Sequence, residues 1–139
     1  MTLLNYGLQF HHFGLAVRDV PGALKVLQGM GYSYGEQIHD SLQKVMLVWC
    51  DHPQMPAIEL VSPSVEAGPL DTILRDSSEL IYHLCYRSSD ILASVAAIKA
   101  DGIRVLPVSP PKAAVLFGGK QVGFYQIKGF GLIEIVEEA

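Results

Sequence analysis

The stretch Phe10-His11-His12-Phe13-Gly14-Leu15-Ala16-Val17-Arg18-Asp19-Val20 decides how this chain is read, because the chain contains it twice. The second copy is Ile81-Tyr82-His83-Leu84-Cys85-Tyr86-Arg87-Ser88-Ser89-Asp90-Ile91, and His12 maps onto His83 at an offset of 71 residues. At that offset Arg18 faces Ser89, Asp19 faces Asp90, Leu24 faces Val95, Leu27 faces Ile98 and Gly31 faces Gly102. A histidine opens each copy.

Working outward, residues 9–17 alternate as a strand, with His12, Gly14 and Ala16 on one face and Phe13, Leu15 and Val17 on the other. Asp19 is placed to cap a helix and Pro21 fits its first turn. Ala23, Leu24, Leu27 and Met30 recur at helical spacing, and Gly29 and Gly31 end the run, so residues 20–29 read as a helix packed on a sheet. Strands are expected at 32–38, Lys44–Cys50 and Ala57–Val61, with a turn at His39-Asp40-Ser41, a loop at Asp51–Pro56 and a stop at Ser62-Pro63. Residues 63–79 read as a linker, with Pro69–Arg75 a turn of helix. The pattern then begins again. Leu80–Tyr86 is a strand, Asp90 a cap, Ile91–Ala100 a helix ended by Gly102, and Ile103–Leu106, Gln121–Ile127 and Gly131–Val136 are strands. Ser109-Pro110-Pro111-Lys112 reads as a loop, within an irregular stretch that runs to Gly118-Gly119-Lys120.

The expected fold is α+β: two βαβββ modules whose sheets pair into a cup around a central metal site, with the helices outside. Two copies at this period are a duplication rather than a solenoid. At 139 residues a single domain is expected, with module 1 at about 9–62, a linker at 63–79 and module 2 at about 80–137.

Composition narrows the function classes. The net charge is −4, with Lys+Arg 10 against Asp+Glu 14, and no basic run stands out, so no nucleic-acid partner is expected. No apolar stretch approaches the ~18 residues of a membrane span. Met1-Thr2-Leu3-Leu4-Asn5 has no basic region or cleavage signature, so no export signal is expected. Cys50 and Cys85 are too few for a disulfide framework, and the expectation is a cytoplasmic protein with two reduced thiols.

Two glutamates sit where core strands should have none. Ala57-Ile58-Glu59-Leu60-Val61 and Leu132-Ile133-Glu134-Ile135-Val136 are the last strands of the two modules. A carboxylate in a half-buried apolar strand is costly unless paired, hydrogen-bonded or bound to a metal. Singly, either glutamate reads equally well as a residue of a wet sheet face, and either histidine as a satisfied core residue. Jointly, each module opens with a histidine and closes with a glutamate, and pseudo-symmetry brings all four together. His12, Glu59, His83 and Glu134 then suit one divalent first-row metal, with nickel, cobalt, manganese, zinc and iron all acceptable. Such an ion polarises a carbonyl.

Other residues carry less. His11 points to the opposite face from His12, and His39 and His52 lie in expected turns. Cys85 shares the face of His83, where a thiol is mostly packing. Lys112 and Lys120 are placed to meet an anionic substrate group or, as loop residues more often do, water. There is no Gly-x-Ser-x-Gly elbow, no Cys-x-x-Cys and no phosphate-cradling glycine loop.

His12-Phe13-Gly14-Leu15-Ala16-Val17, Ile58-Glu59-Leu60-Val61-Ser62-Pro63, Tyr82-His83-Leu84-Cys85 and Gly131-Leu132-Ile133-Glu134-Ile135, in that order, resemble the vicinal oxygen chelate superfamily (glyoxalase, bleomycin resistance and dioxygenase proteins). The resemblance spans about residues 9–137. Within the superfamily the chain looks most like the methylmalonyl-CoA epimerases. That implies a divalent metal held by His12, Glu59, His83 and Glu134, and a small carbonyl or thioester substrate. It also implies a proton abstracted next to the carbonyl by Glu134 or Glu59, and a homodimer. Two departures stand out. Epimerases typically have glutamine at the position matched to Glu59, and a His-Glu-His-Glu set is closer to glyoxalase I. The epimerases' second catalytic glutamate matches Leu47 here. The expected activity is therefore epimerase- or isomerase-like. The alternatives are a lyase of the glyoxalase I type and a non-catalytic small-molecule or drug-binding protein of the same fold. Extradiol dioxygenases use two histidines and one glutamate on iron but usually in chains about twice as long.

Overall fold

The computed structural model describes residues 6–138; Met1–Asn5, where no export signal is expected, and Ala139 lie outside them. The fold is α+β and carries the βαβββ module twice. Two compact units divide the chain, one from His12 to Tyr82 and the other from His83 onward together with the residues up to His11.

The first module runs β1 (Gln9–Val17), α1 (Val20–Gly29), β2 (Ser33–Tyr34), β3 (Ile38–Asp40), β4 (Val45–Asp51) and β5 (Ile58–Pro63). α2 (Leu70–Ile73) is the turn of helix expected in the linker. β1 and β5 are parallel, β5 and β4 antiparallel, and β2 and β3 both lie antiparallel on β4. β2 and β3 are one strand position broken in two, and they replace the single strand expected at 32–38. His39 and Asp40 belong to β3 rather than to a turn, and the turn follows, where the buried Asp40 carboxylate accepts from Leu42 N, Gln43 N and Gln43 Nε2. Asp19 caps α1 by accepting from Gly22 N at 3.0 Å, and Gly31 at φ +94° ends it. The α1 stripe (Ala23, Leu24, Leu27) packs on Val17, Val48, Cys50 and Leu60, while Met30 is exposed beyond the end of the stripe.

The second module runs β6 (Glu79–Ser88), α3 (Ile91–Ala100), β7 (Val105–Ala114), β8 (Lys120–Ile127) and β9 (Gly131–Glu137). β9 is parallel to β6 and antiparallel to β8, and β7 is the terminal strand on β8. Ile91, Val95 and Ile98 of α3 pack on Val105, Tyr125, Ile127, Ile133 and Ile135, with Tyr6 and Leu8 joining from the N-terminal segment. Asp90 caps α3 by accepting from Ala93 N, and Glu137 accepts from Ile91 N. Glu137 is thus part of a helix cap.

The expected loop at Ser109–Lys112 is strand. β7 runs on to Ala114 and absorbs its prolines in register shifts between Pro107 and Ser109 and between Ser109 and Lys112. Proline is tolerated at a terminal strand and at bulges, where its missing N–H leaves no ladder bond broken. A single 3₁₀ turn (Val115–Phe117) and two left-handed glycines, Gly118 and Gly119, complete the return to β8. The repeat offset changes along the chain, and the bulges of β7 supply part of the change. β1 and α1 map onto β6 and α3 at 71 residues, whereas β4 and β5 map onto β8 and β9 at 75.

Candidate functional site

The ladders put each glutamate in the same place. Glu59 lies beside Gly14 of β1 and opposite Trp49 of β4; Glu134 lies beside Cys85 of β6 and opposite Phe124 of β8. Cys85 is the repeat equivalent of Gly14, and Phe124 that of Trp49. Each histidine stands two residues before that neighbour on its strand, and so shares the glutamate's face.

In the first unit His12 Nε2 is 3.7 Å from Glu59 Oε1, and the residues are 0% and 4% exposed. In the second, His83 Nε2 is 3.1 Å from Glu134 Oε1, and the residues are 3% and 1% exposed. These four are among the buried polar residues of the chain, and neither unit's pair lies on its helix-side core. The apolar cavities of about 370 Å³ beside α3 and about 410 Å³ beside α1 are lined by other residues.

Each pair fits metal ligation on its own chemistry. Imidazole Nε2 and carboxylate oxygen are the donor types that zinc, nickel, cobalt, manganese and iron accept. Two donors about 2.1 Å from one ion and at a right angle stand about 3.0 Å apart, so a spacing of 3.1 Å needs almost no rearrangement and one of 3.7 Å only a wider angle. In both pairs it is Nε2, not Nδ1, that turns to the carboxylate.

Sequence reasoning singled out all four of these residues and missed the aromatic residue that accompanies each pair. The Trp49 ring meets His12 edge-on at 5.0 Å between centroids, and the Phe124 ring meets His83 edge-on at 5.3 Å. The signal was present, since both aromatics stand ten residues before their glutamate.

The remaining candidates take other roles. His11 approaches Glu138 at 3.8 Å and the Phe117 ring at 5.4 Å. His39 approaches Glu66 at 4.0 Å on the surface. His52 is structural. Its Nδ1 accepts from Gln54 N and Met55 N, so its Nε2–H donates to Met30 O, and the ring holds the loop after β4 to the end of α1. Cys85 is buried among Ala114, Val122 and Val136, in keeping with packing. Lys120 pairs with Glu138, whose carboxyl is held below the usual range chiefly by that lysine; Lys112 is exposed on β7. Leu47 is buried on β4, two residues from Trp49 and so on the face of Glu59, opposite Val61. The first unit therefore has an apolar side chain where the epimerases were expected to carry a second glutamate. Among the described residues no helix is long and apolar enough to cross a membrane.

A βαβββ module built twice, each copy closing a buried imidazole–carboxylate pair, is the architecture of the vicinal oxygen chelate class. The chain matches the model of the Glyoxalase/Bleomycin resistance protein/Dioxygenase superfamily over residues 11–124, and it belongs to that superfamily. It is 30% identical over 131 residues to the ethylmalonyl-CoA/methylmalonyl-CoA epimerase of Cereibacter sphaeroides, covering 91% of this chain and 96% of that one. Its fold matches the crystal structure of methylmalonyl-CoA epimerase from Mycobacterium tuberculosis with a TM-score of 0.80 at 22% identity, covering 99% of this chain and 93% of that one. It also matches a variant of the Streptomyces coelicolor methylmalonyl-CoA epimerase in complex with 2-nitronate-propionyl-CoA, with a TM-score of 0.71 at 21% identity, covering 94% and 97% of the two chains.

Proposed function

We propose that the two units act as one domain, in which His12, Glu59, His83 and Glu134 together hold one divalent metal. In this reading the chain is an epimerase of a CoA thioester of the methylmalonyl or ethylmalonyl type. The observation that carries the reading is the buried His–Glu pair built twice on equivalent strands. The epimerase relative, similar along nearly the whole chain, supports the substrate class. When bound, the ion supplies Lewis acidity toward the substrate's carbonyl oxygens.

The chain's own residues handle the proton. Glu134 takes the proton from the carbon between the thioester and carboxylate groups. Return of a proton to the same face regenerates the starting isomer, and delivery to the opposite face inverts it. With Leu47 in place of a second dedicated carboxylate, Glu59 is the group assigned to the opposite face. The apolar residues around Cys85 and Leu47 keep water from the reacting carbon.

The glutamate at position 59 supports a second reading, a lyase of the glyoxalase I type acting on the hemithioacetal of a 2-oxoaldehyde. Two buried thiols, Cys50 and Cys85, outside any disulfide, fit a reducing, cytoplasmic compartment. The terminal strands β2 and β7 offer edges on which a homodimer can form.

Methylmalonyl-CoA incubated with the metal-loaded protein in deuterated water tests the assignment. Deuterium entering at the carbon between the two carbonyls, with inversion, is the expected result. Absence of exchange there, with turnover of a hemithioacetal, overturns the epimerase reading in favour of the lyase. Absence of both overturns catalysis.

A further inference from the structure

We propose that Trp49 and Phe124 are positioning residues, whose rings hold the imidazoles of His12 and His83 in the plane that aims Nε2 at the metal. The inference rests on the reading of the two His–Glu pairs as metal ligands and deepens it.

Three observations carry it. First, the contact is built twice. In each module the residue opposite the ligand glutamate is aromatic, and its ring meets the module's histidine edge-on, at 5.0 Å and 77° for Trp49 and at 5.3 Å and 82° for Phe124. Second, the same placement survives a change of ring type between the modules, so the shared property is an aromatic ring rather than an indole. Third, the Trp49 ring is itself fixed, because its Nε1–H donates to Asp51 Oδ1 at 3.0 Å. Edge-to-face packing constrains the relative tilt of two rings, and a metal-bound imidazole gains affinity when its ring plane is set in advance. The χ2 wells of a histidine are broad, and an edge-on aromatic neighbour narrows them before the metal arrives.

Because Trp49 is the chain's single tryptophan, its fluorescence reports on the site. Calorimetric uptake of nickel or cobalt is compared in the parent, Trp49→Leu, Trp49→Phe, Phe124→Leu, Phe124→Tyr and Asp51→Ala, alongside thermal unfolding of each metal-free chain, with Trp49 emission followed in the chains that keep the tryptophan. The leucine variants are expected to bind metal about 10- to 100-fold more weakly, as losses of outer supports to ligands typically do. Phe124→Tyr should keep parent affinity, and Trp49→Phe, which keeps a ring but loses the bond to Asp51, should fall short of it by no more than Asp51→Ala does. Asp51→Ala, an exposed change that leaves the core intact, should weaken binding in the same direction by less. Nickel or cobalt should quench Trp49 emission in the parent. Parent-like affinity in both leucine variants, with metal still bound by the parent, overturns the positioning role and leaves the metal reading standing. Affinity losses that merely track lowered melting temperature, without rescue by Phe or Tyr, overturn it as well. A parent that takes up no metal overturns the metal reading itself.

Discussion

Nε2 of His83 lies 3.1 Å from Oε1 of Glu134, with both side chains nearly sealed from water. The same pair recurs between His12 and Glu59 at 3.7 Å. A buried carboxylate beside a buried imidazole is expensive to maintain for stability alone, since the desolvation of both groups offsets much of their attraction. A chain that keeps the arrangement in both halves of a duplication has a use for it, and ligation of a cation is the use its donor atoms fit.

Glu134→Gln should abolish proton exchange and leave the fold intact. Loss of a positioned general base typically costs about 10²- to 10⁴-fold in rate. The check is deuterium exchange into methylmalonyl-CoA, with circular dichroism to show that the variant is folded. Full exchange activity would remove Glu134 as the base.

Glu59→Gln should separate two rates that Glu134→Gln abolishes together. Exchange on the face served by Glu134 persists, while inversion falls. Measuring deuterium uptake and stereochemical inversion in the same reaction decides it. Inversion at the parent rate would take the opposite-face role away from Glu59 and fit a position that tolerates glutamine.

Ile135→Ala should destabilise the chain by about 2–5 kcal/mol, the usual range for truncating a fully buried isoleucine. Ile135 is completely buried beneath α3, next to Glu134 in sequence but on the opposite face of β9. Urea unfolding measures the loss. Metal affinity in the folded variant should stay close to the parent's, because the helix-side core and the His–Glu face are separate.

Cys50 gives a pH dependence with a definite sign. Burial, with Asp51 adding to it, pushes its thiol from 9.0 up to about 11. A group whose value rises on folding favours the folded chain fully below the unfolded value, and that advantage is lost as the pH climbs through the folded one. Parent and Cys50→Ala should therefore show a constant stability difference below about pH 9, and the parent should lose ground between pH 9 and 11. Urea midpoints across that range test it. Parallel curves to pH 11 would mean that the thiolate forms in the folded chain without penalty.

Much of this was legible in the sequence because a duplication carries its own check. His12 and His83 are found by offset, and the caps Asp19 and Asp90 with the stops Gly31 and Gly102 place both helices almost to the residue. Glu59 and Glu134 are found differently, as charges in apolar strands, because their offset is 75 rather than 71 and a single shift does not align them. Part of the difference lies in the bulges of β7, where Pro107, Pro110 and Pro111 make strand look like loop. Proline argues against a strand only where a neighbour needs its N–H, and a sequence does not say which strand is terminal. Trp49 and Phe124 were passed over because an aromatic in a strand reads as core, and only the cross-strand register shows that each faces a glutamate. The role of Glu137 at the α3 N-terminus depends on a contact 46 residues away, which no local pattern reveals.

Elemental analysis of chelator-free protein shows whether the two pairs jointly hold one divalent ion. The parent, His12→Ala and His83→Ala are each loaded with nickel, cobalt or zinc, desalted and measured. About one ion per parent chain, and far less in both variants, is the expected result. No uptake by the parent, or two ions per chain with each variant losing only one, would contradict it.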